Sequence, residues 1–306
     1  MVQPVPISVE TICIHSDSEI ALELAIGLRR LLDMPFKITG QGMFEYVGPP
    51  QYGRQDIGLA PGGAMDRFAY LSGCRLTGSV HAIEVLFPPK FEFTRRTRCV
   101  LTGAHRDNMQ LTSSTGTVTP LCHNTAFIAS PGETLSMGKN TLGYRTYLCW
   151  NADENFDSSL QTLPVFRDIC SWSDPDNCIR VTRGPEFNRL RNSEAFFMTH
   201  WRTTKEMSRM GIRLENSNAK LEVESEKMIS GPVADGTIQL TPSGLIVLMR
   251  QRQTIGGYPR IFNVVEVDID RLAQYPPGCD ITFKLITENQ ARELLEKQRK
   301  ALAGLK

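Results

Sequence analysis

TIQLTPSGLIVLMRQRQTIGGYPRI, residues 237–261, holds the strand pattern from which the architecture follows. Two short runs, TIQLT and GLIVLM, stand either side of Pro242-Ser243. Short apolar or alternating runs bounded by turn residues read as strands. The same texture recurs on both sides of this stretch. KFEFT, RCVLTG, NTAFIAS, TYLCW and CIRVTRG precede it, and IFNVVEVDI and DITFKLI follow it. Many short strands at this spacing argue for a β-sandwich or barrel. Regular strand–helix–strand alternation is absent, which argues against a Rossmann-type sheet.

Two segments read as helices instead. SDSEIALELAIGLRRLL places Glu19 three residues after Ser16, and TENQARELLEKQRKALAGL places Gln290 three residues after Thr287. Both are capping-box spacings followed by an apolar stripe, as expected of peripheral helices packed on a sheet. The class is therefore mainly β, of the α+β kind. The least patterned stretch is Asn151 to Asn177, acidic and rich in turn residues, and a unit boundary is placed there.

Bulk properties narrow the function. The chain has 306 residues, 41% apolar and 22% charged, with a net charge of +1. That balance offers no general attraction to nucleic acid or to an anionic membrane. No run of 18 apolar residues occurs, so no spanning helix is expected. The first residues lack the basic start and apolar core of a signal peptide. The eight cysteines are scattered with no C-x-x-C pair, and the five histidines do not cluster. Buried reduced thiols, a cytoplasmic location and no metal site are expected.

The standard catalytic motifs are missing. PGETLSMGKN, residues 131–140, comes nearest to a phosphate loop but has five residues between its glycines and Asn after the lysine. No G-x-G-x-x-G, H-E-x-x-H or G-x-S-x-G is present. Two polar stretches remain. GLAPGGAMDR, residues 58–67, sets Gly62-Gly63 before Asp66-Arg67. It is either a turn into a helix with Asp66 near its N-terminus, or a loop where a ligand approaches the backbone. RQRQTIGGYP, residues 250–259, is either a strand end with a Gly-Gly hairpin, or a site. Arg252 suits a carboxylate, and Gln253 and Thr254 suit an amide.

At these two stretches the chain resembles the KipA/allophanate hydrolase subunit 2 family, the biotin-dependent carboxyltransferase family. The matching segments run in order: GLAPGGAMDRFAYLSGCRLTG, AIEVLF, VLTGA, GYRTYL, IRVTRGPE, SRMGIRLE, DGTIQLTPSGLIVLMRQRQTIGGYPRI and DIDRLAQYPPGCDITF. They span about residues 44–295. Residues 8–38 are similar to the closing strand and helix of the LamB/YcsF family, which forms the A subunit of bacterial 5-oxoprolinase. The resemblance departs at Gln251, where the family has Asp, and at Ile255, Ser208 and Cys74. A Gly-Gly after Trp150 is also missing.

The resemblance implies two cyclophilin-like β-barrel units with peripheral helices, over residues 44–160 and 161–306, behind an N-terminal strand–helix extension over 1–43. It implies the C subunit of an ATP-dependent 5-oxoprolinase, which opens 5-oxoproline to glutamate. The partners it implies are a LamB/YcsF-like protein and a KipI/allophanate hydrolase subunit 1-like protein, the A and B subunits of such a complex. Expected catalytic residues are Arg252, Gln253, Thr254 and Asp66. Expected substrate-binding residues are Tyr258, Arg213, Arg67, Gly62, Gly63, Gly256 and Gly257. No ATP motif is expected in this chain. Two alternatives stay open. One is carboxyl transfer to urea or another small amide, with biotin brought by a partner. The other is a non-catalytic, KipA-like regulatory protein.

Overall fold

A computed structural model of the protein describes residues 34–152, 177–216, 220–224 and 228–305. The helix expected from Ser16, most of the LamB/YcsF-like segment and most of the boundary stretch lie outside these residues.

The first half is built from two five-stranded antiparallel sheets. One runs β1 (Phe36–Thr39), β4 (Lys90–Phe93), β9 (Thr134–Ser136), β6 (Gln110–Thr112), β7 (Val118–Pro120). The other runs β2 (Met43–Val47), β3 (His81–Phe87), β10 (Asn140–Asn151), β5 (Thr97–Arg106), β8 (Phe127–Ala129). Residues 36–39, assigned by sequence to the N-terminal extension, pair with β4 in register Phe36 to Phe93. Between the sheets, Phe36 meets Phe91, Phe93 and Trp150 edge-on at centroid distances of 5.0–5.5 Å. Edge-to-face contacts of this kind suit the ring quadrupoles.

Helix α1 (Arg67–Thr77) covers the outer face of the second sheet, packing Ala69, Tyr70 and Leu76 on Val100, Tyr147 and Cys149. Strands β5 and β10 are thus buried on both faces, which is why RCVLTG and TYLCW read as continuous rather than alternating runs. Gly73 lets the helix come this close, because a Cβ there would overlap Cys149 Sγ.

The second half closes as a seven-stranded barrel. The order is β11 (Cys178–Arg183), β18 (Arg260–Val264), β15 (Thr237–Thr241), β16 (Gly244–Leu248), β13 (Gly211–Glu215), β12 (Trp201–Met207), β19 (Asp280–Leu285). Closure comes from the parallel pair β11–β19. The quoted stretch supplies β15 and β16, which pair antiparallel across Pro242-Ser243. Phe196, in the short helix α2 (Ser193–Met198), fills the interior against Phe262 and Phe283 at 4.3 and 4.6 Å. A two-residue ribbon, β14 (Gly231–Pro232) with β17 (Ile255–Gly256), lies outside the barrel.

Helix α3 (Glu266–Leu272) follows β18, and helix α4 (Glu288–Gly304) ends the described chain. The capping box expected at Thr287 and Gln290 is present. Met65, from the loop before α1, is packed into the core of the barrel rather than that of its own half. Among the described residues, no helix is long and apolar enough to cross a membrane.

Candidate functional site

The family-like segments converge on the junction between the two halves. After β16 the chain turns, and Arg250 enters the junction with no exposed surface. Its Nε donates to Met65 O at 3.0 Å, Nη1 to Glu266 Oε1 at 3.0 Å and Nη2 to Asp270 Oδ1 at 2.7 Å. Its carbonyl accepts from Gly62 N at 3.1 Å. Burial alone would lower the Arg250 pKa. Asp270, Glu266 and Asp235 outweigh that and raise it. Arg250 therefore ties the 62–65 loop of the first half to α3 of the second.

A second buried centre lies at Glu84 of β3, which is fully buried. Oε1 accepts from Arg209 Nη1 at 2.6 Å and Arg145 Nε at 3.2 Å. Oε2 accepts from Tyr147 Oη at 2.8 Å and Met65 N at 3.0 Å. Arg209 crosses from the barrel and also donates to Gly63 O at 2.6 Å. Gln274, just past α3, donates to Asp66 Oδ2 at 2.7 Å and accepts from the Tyr144 and Arg145 amides. Glu266 and Asp270, four residues apart on α3, share a helical face toward this junction, and Gln274 follows just past the helix end.

Asp66 does not line a site. It is fully buried and caps α1, its Oδ1 accepting from Ala69 N at 2.9 Å. Burial, reinforced by nearby Asp270, pushes its carboxyl up to about 8. It serves as a buried helix cap rather than facing a ligand: both oxygens are engaged internally and neither reaches solvent. Of the two readings of GLAPGGAMDR, the helix-start reading holds for Asp66.

Arg213 is also set apart. Its guanidinium bonds Glu206 at 2.8 Å and Ser243 Oγ at 2.7 Å, beside the turn where β16 begins. RQRQT lies past the opposite end of that strand. Arg213 instead lines a separate open pocket of about 680 Å³ with Arg202, Lys205 and Glu215.

The remaining expected residues are brought together. Arg67 reaches across the junction to Glu266 Oε1 at 3.2 Å and Asp235 Oδ2 at 3.3 Å, and bonds Gly62 O and Tyr52 Oη. Gly62 and Gly63 take φ of +62° and +84°, and a Cβ on Gly63 would press on the Gly48 carbonyl and Pro50. Arg252 is 7% exposed and stands 3.2 Å from Asp235 Oδ1, at an angle that makes no hydrogen bond. Its Nε and Nη1 are buried without a hydrogen-bond partner. Each such group costs about 1–3 kcal/mol, so the arrangement favours a ligand that completes it.

Gln253 and Thr254 are half-buried beside Arg252, with Thr254 O accepting from Val233 N at 3.0 Å. Gly256-Gly257 is not a hairpin. Gly256 belongs to β17, where a Cβ would overlap the Gln239 side chain. Tyr258 is 47% exposed on the rim. On the other side of the loop, exposed Gln251 donates to Glu45 Oε1 at 3.2 Å, and Glu45 also pairs with Arg209 at 2.9 Å.

Sequence reasoning missed Asp235, Glu266, Asp270 and Glu84, the carboxylates that position these arginines. Burial pushes the Asp235 pKa up, against the pull of Arg250, Arg252 and Arg67. Glu266 is held down, because Arg250 and Arg67 outweigh its burial. The spacing of Glu266, Asp270 and Gln274 was the available signal. Among the described residues, no group of three His, Cys, Asp or Glu side chains is placed to hold a metal ion.

Comparison with known proteins identifies the family and the fold. The family model described as "Carboxyltransferase domain, subdomain A and B" matches residues 57–161 and 154–285. The chain is 24% identical to the 5-oxoprolinase C subunit of Haemophilus influenzae over 292 residues, 81% of this chain and 89% of that one. It is 34% identical to the 5-oxoprolinase C subunit of Escherichia coli over 127 residues, 40% of this chain and 41% of that one. The urea amidolyase of K. lactis has the same fold, with a TM-score of 0.74 at 21% identity over 95% of this chain and 21% of that one. Most of the protein thus falls within one family model, and the chain belongs to the carboxyltransferase domain family, subdomains A and B.

Proposed function

We propose that the chain is the C subunit of an ATP-dependent 5-oxoprolinase and holds 5-oxoproline at the junction of its two halves. One observation carries this reading. Arg252 is a buried cation at the family's RQT element, with two nitrogens lacking a hydrogen-bond partner. A carboxylate oxygen can accept from either nitrogen, and 5-oxoproline brings a carboxylate. The match to a 5-oxoprolinase C subunit along most of both chains supports the same reading. Gln253 and Thr254 lie beside Arg252, where they orient the lactam amide. Arg67 and Arg250 keep the surrounding charge balanced against Asp235, Glu266 and Asp270. Lactam opening demands an oriented amide shielded from bulk water, and the burial of Arg252 at the junction supports that requirement. ATP is the co-substrate of the assembled complex, and the residues of this chain are assigned to the lactam.

Carboxyl transfer to a small amide is the second reading, favoured by the description of the family model itself. Urea carries no carboxylate and would offer Arg252 only a neutral carbonyl acceptor.

The test is reconstitution with LamB/YcsF-like and KipI-like partners, measuring ADP and glutamate released from 5-oxoproline with and without this chain. Losing charge-assisted bonds from a buried guanidinium predicts a fall of at least about 100-fold for Arg252→Ala. Wild-type rates in that variant would remove Arg252 from the reaction.

A further inference from the structure

Four buried polar atoms around Arg252 make no hydrogen bond: Arg252 Nε and Nη1, Arg67 Nε and Asp235 Oδ1. Buried polar groups are nearly always bonded, so such a cluster calls for completion. The orphans are of two kinds, three donors on cations and one acceptor on a carboxylate. Arg252 Nε and Asp235 Oδ1 are 3.2 Å apart. A molecule that satisfies both must therefore carry an acceptor and a donor only a few bonds apart. A carboxylate and an N–H on the same carbon have that arrangement.

We propose that Asp235 is a specificity-determining residue: it accepts the N–H of a ligand whose neighbouring carboxylate is taken by Arg252. This deepens the 5-oxoproline reading and rests on it for the identity of the ligand. The ligand class is a lactam acid, with ring N–H and carboxylate on one carbon. Asp235 Oδ2 is occupied by Arg67 Nη2 at 3.3 Å and Arg250 Nη1 at 3.4 Å, so Oδ1 is the oxygen turned to the ligand. All four orphan atoms are sealed from water here, so entry requires side-chain movement around Arg252. A lactone acid has the same shape but puts a ring oxygen where the N–H belongs. Against Asp235 Oδ1 that sets two acceptors face to face.

The test is calorimetric titration of the full chain, alone and in the reconstituted complex, with L-5-oxoproline and with 5-oxotetrahydrofuran-2-carboxylate. The lactam acid is expected to bind about 10- to 100-fold more tightly, the range of a hydrogen bond to a charged group. Asp235→Asn can turn its amide to donate to the ring oxygen, and should narrow the ratio to within about threefold. Arg252→Met should weaken both acids and leave their ratio unchanged. Equal binding by the wild type, or an unchanged ratio in Asp235→Asn, overturns the proposal. Should Asp235→Asn fail to fold, N-methyl-5-oxoproline gives the same comparison on the wild type, with at least about tenfold weaker binding expected and equal binding overturning it. A complex that discriminates as expected yet releases no glutamate refutes the 5-oxoprolinase reading and leaves this one standing. Turnover without discrimination does the reverse.

Discussion

Glu84→Gln should loosen the junction more than any surface change could. Glu84 is fully buried and receives four hydrogen bonds, two of them from guanidinium groups on different halves of the protein. A glutamine keeps the shape but turns one oxygen into a donor and removes the charge. In either amide orientation the new NH₂ faces two former donors. If it faces Arg145 and Arg209, both cations lose their buried partner. If it faces Met65 N and Tyr147 Oη, the backbone amide is left unbonded. Breaking a buried ion pair on one side costs about 3–5 kcal/mol, and two lost bonds to a charged acceptor at about 1.5–3 kcal/mol each give about 3–6 kcal/mol, which overlaps it. Urea unfolding followed by tryptophan fluorescence reads this directly. Trp150 lies in the first half and Trp201 in the barrel, so both sides are reported. A loss below about 1 kcal/mol would refute the view that this carboxylate joins the halves.

Gly73→Ala places a methyl where Cys149 Sγ already lies, so it should cost about 1–3 kcal/mol in the same assay, and a neutral result would mean α1 shifts freely on the sheet. Asp66 gives a pH signature. Its folded pKa of about 8 lies above the ordinary 3.8. The folded state therefore binds the extra proton, and this group's contribution is full below about pH 4 and lost as pH rises toward 8. Stability measured across that window should decline for the wild type, and Asp66→Asn should flatten the slope. An equal slope in both would assign the decline elsewhere.

The fold was largely legible because its strands are short and marked by turn residues. TIQLT and GLIVLM read as two strands and are neighbours in the barrel. The capping residues of α4 were visible for the same reason, since a cap is a local event. The site was legible only as a place. RQRQT and GGAMDR do meet at the junction, but two arginines two residues apart look alike in one dimension. Arg250 is saturated by carboxylates and Arg252 is not, and those carboxylates come from α3 and the turn before β15. Arg213 misled because residue type says nothing about which end of a strand a side chain reaches. Asp66 misled because an N-cap and a catalytic carboxylate have the same one-letter signature. Asp235 drew no reading of its own, because an Asp-Gly pair has the same one-dimensional signature as an ordinary turn.

Met65 carries one more consequence. It is donated by the first half to the interior of the second, beside Ile212, Leu214 and Leu272. The barrel thus has no complete core of its own. Made as two separate polypeptides, ending at 152 and beginning at 177, the halves should find each other like a peg and its socket. Either piece by itself would be left with a hole on one side or an uncovered methionine on the other. In this family architecture, inheritance of one half without the other would yield a partner-seeking fragment rather than a smaller self-sufficient domain.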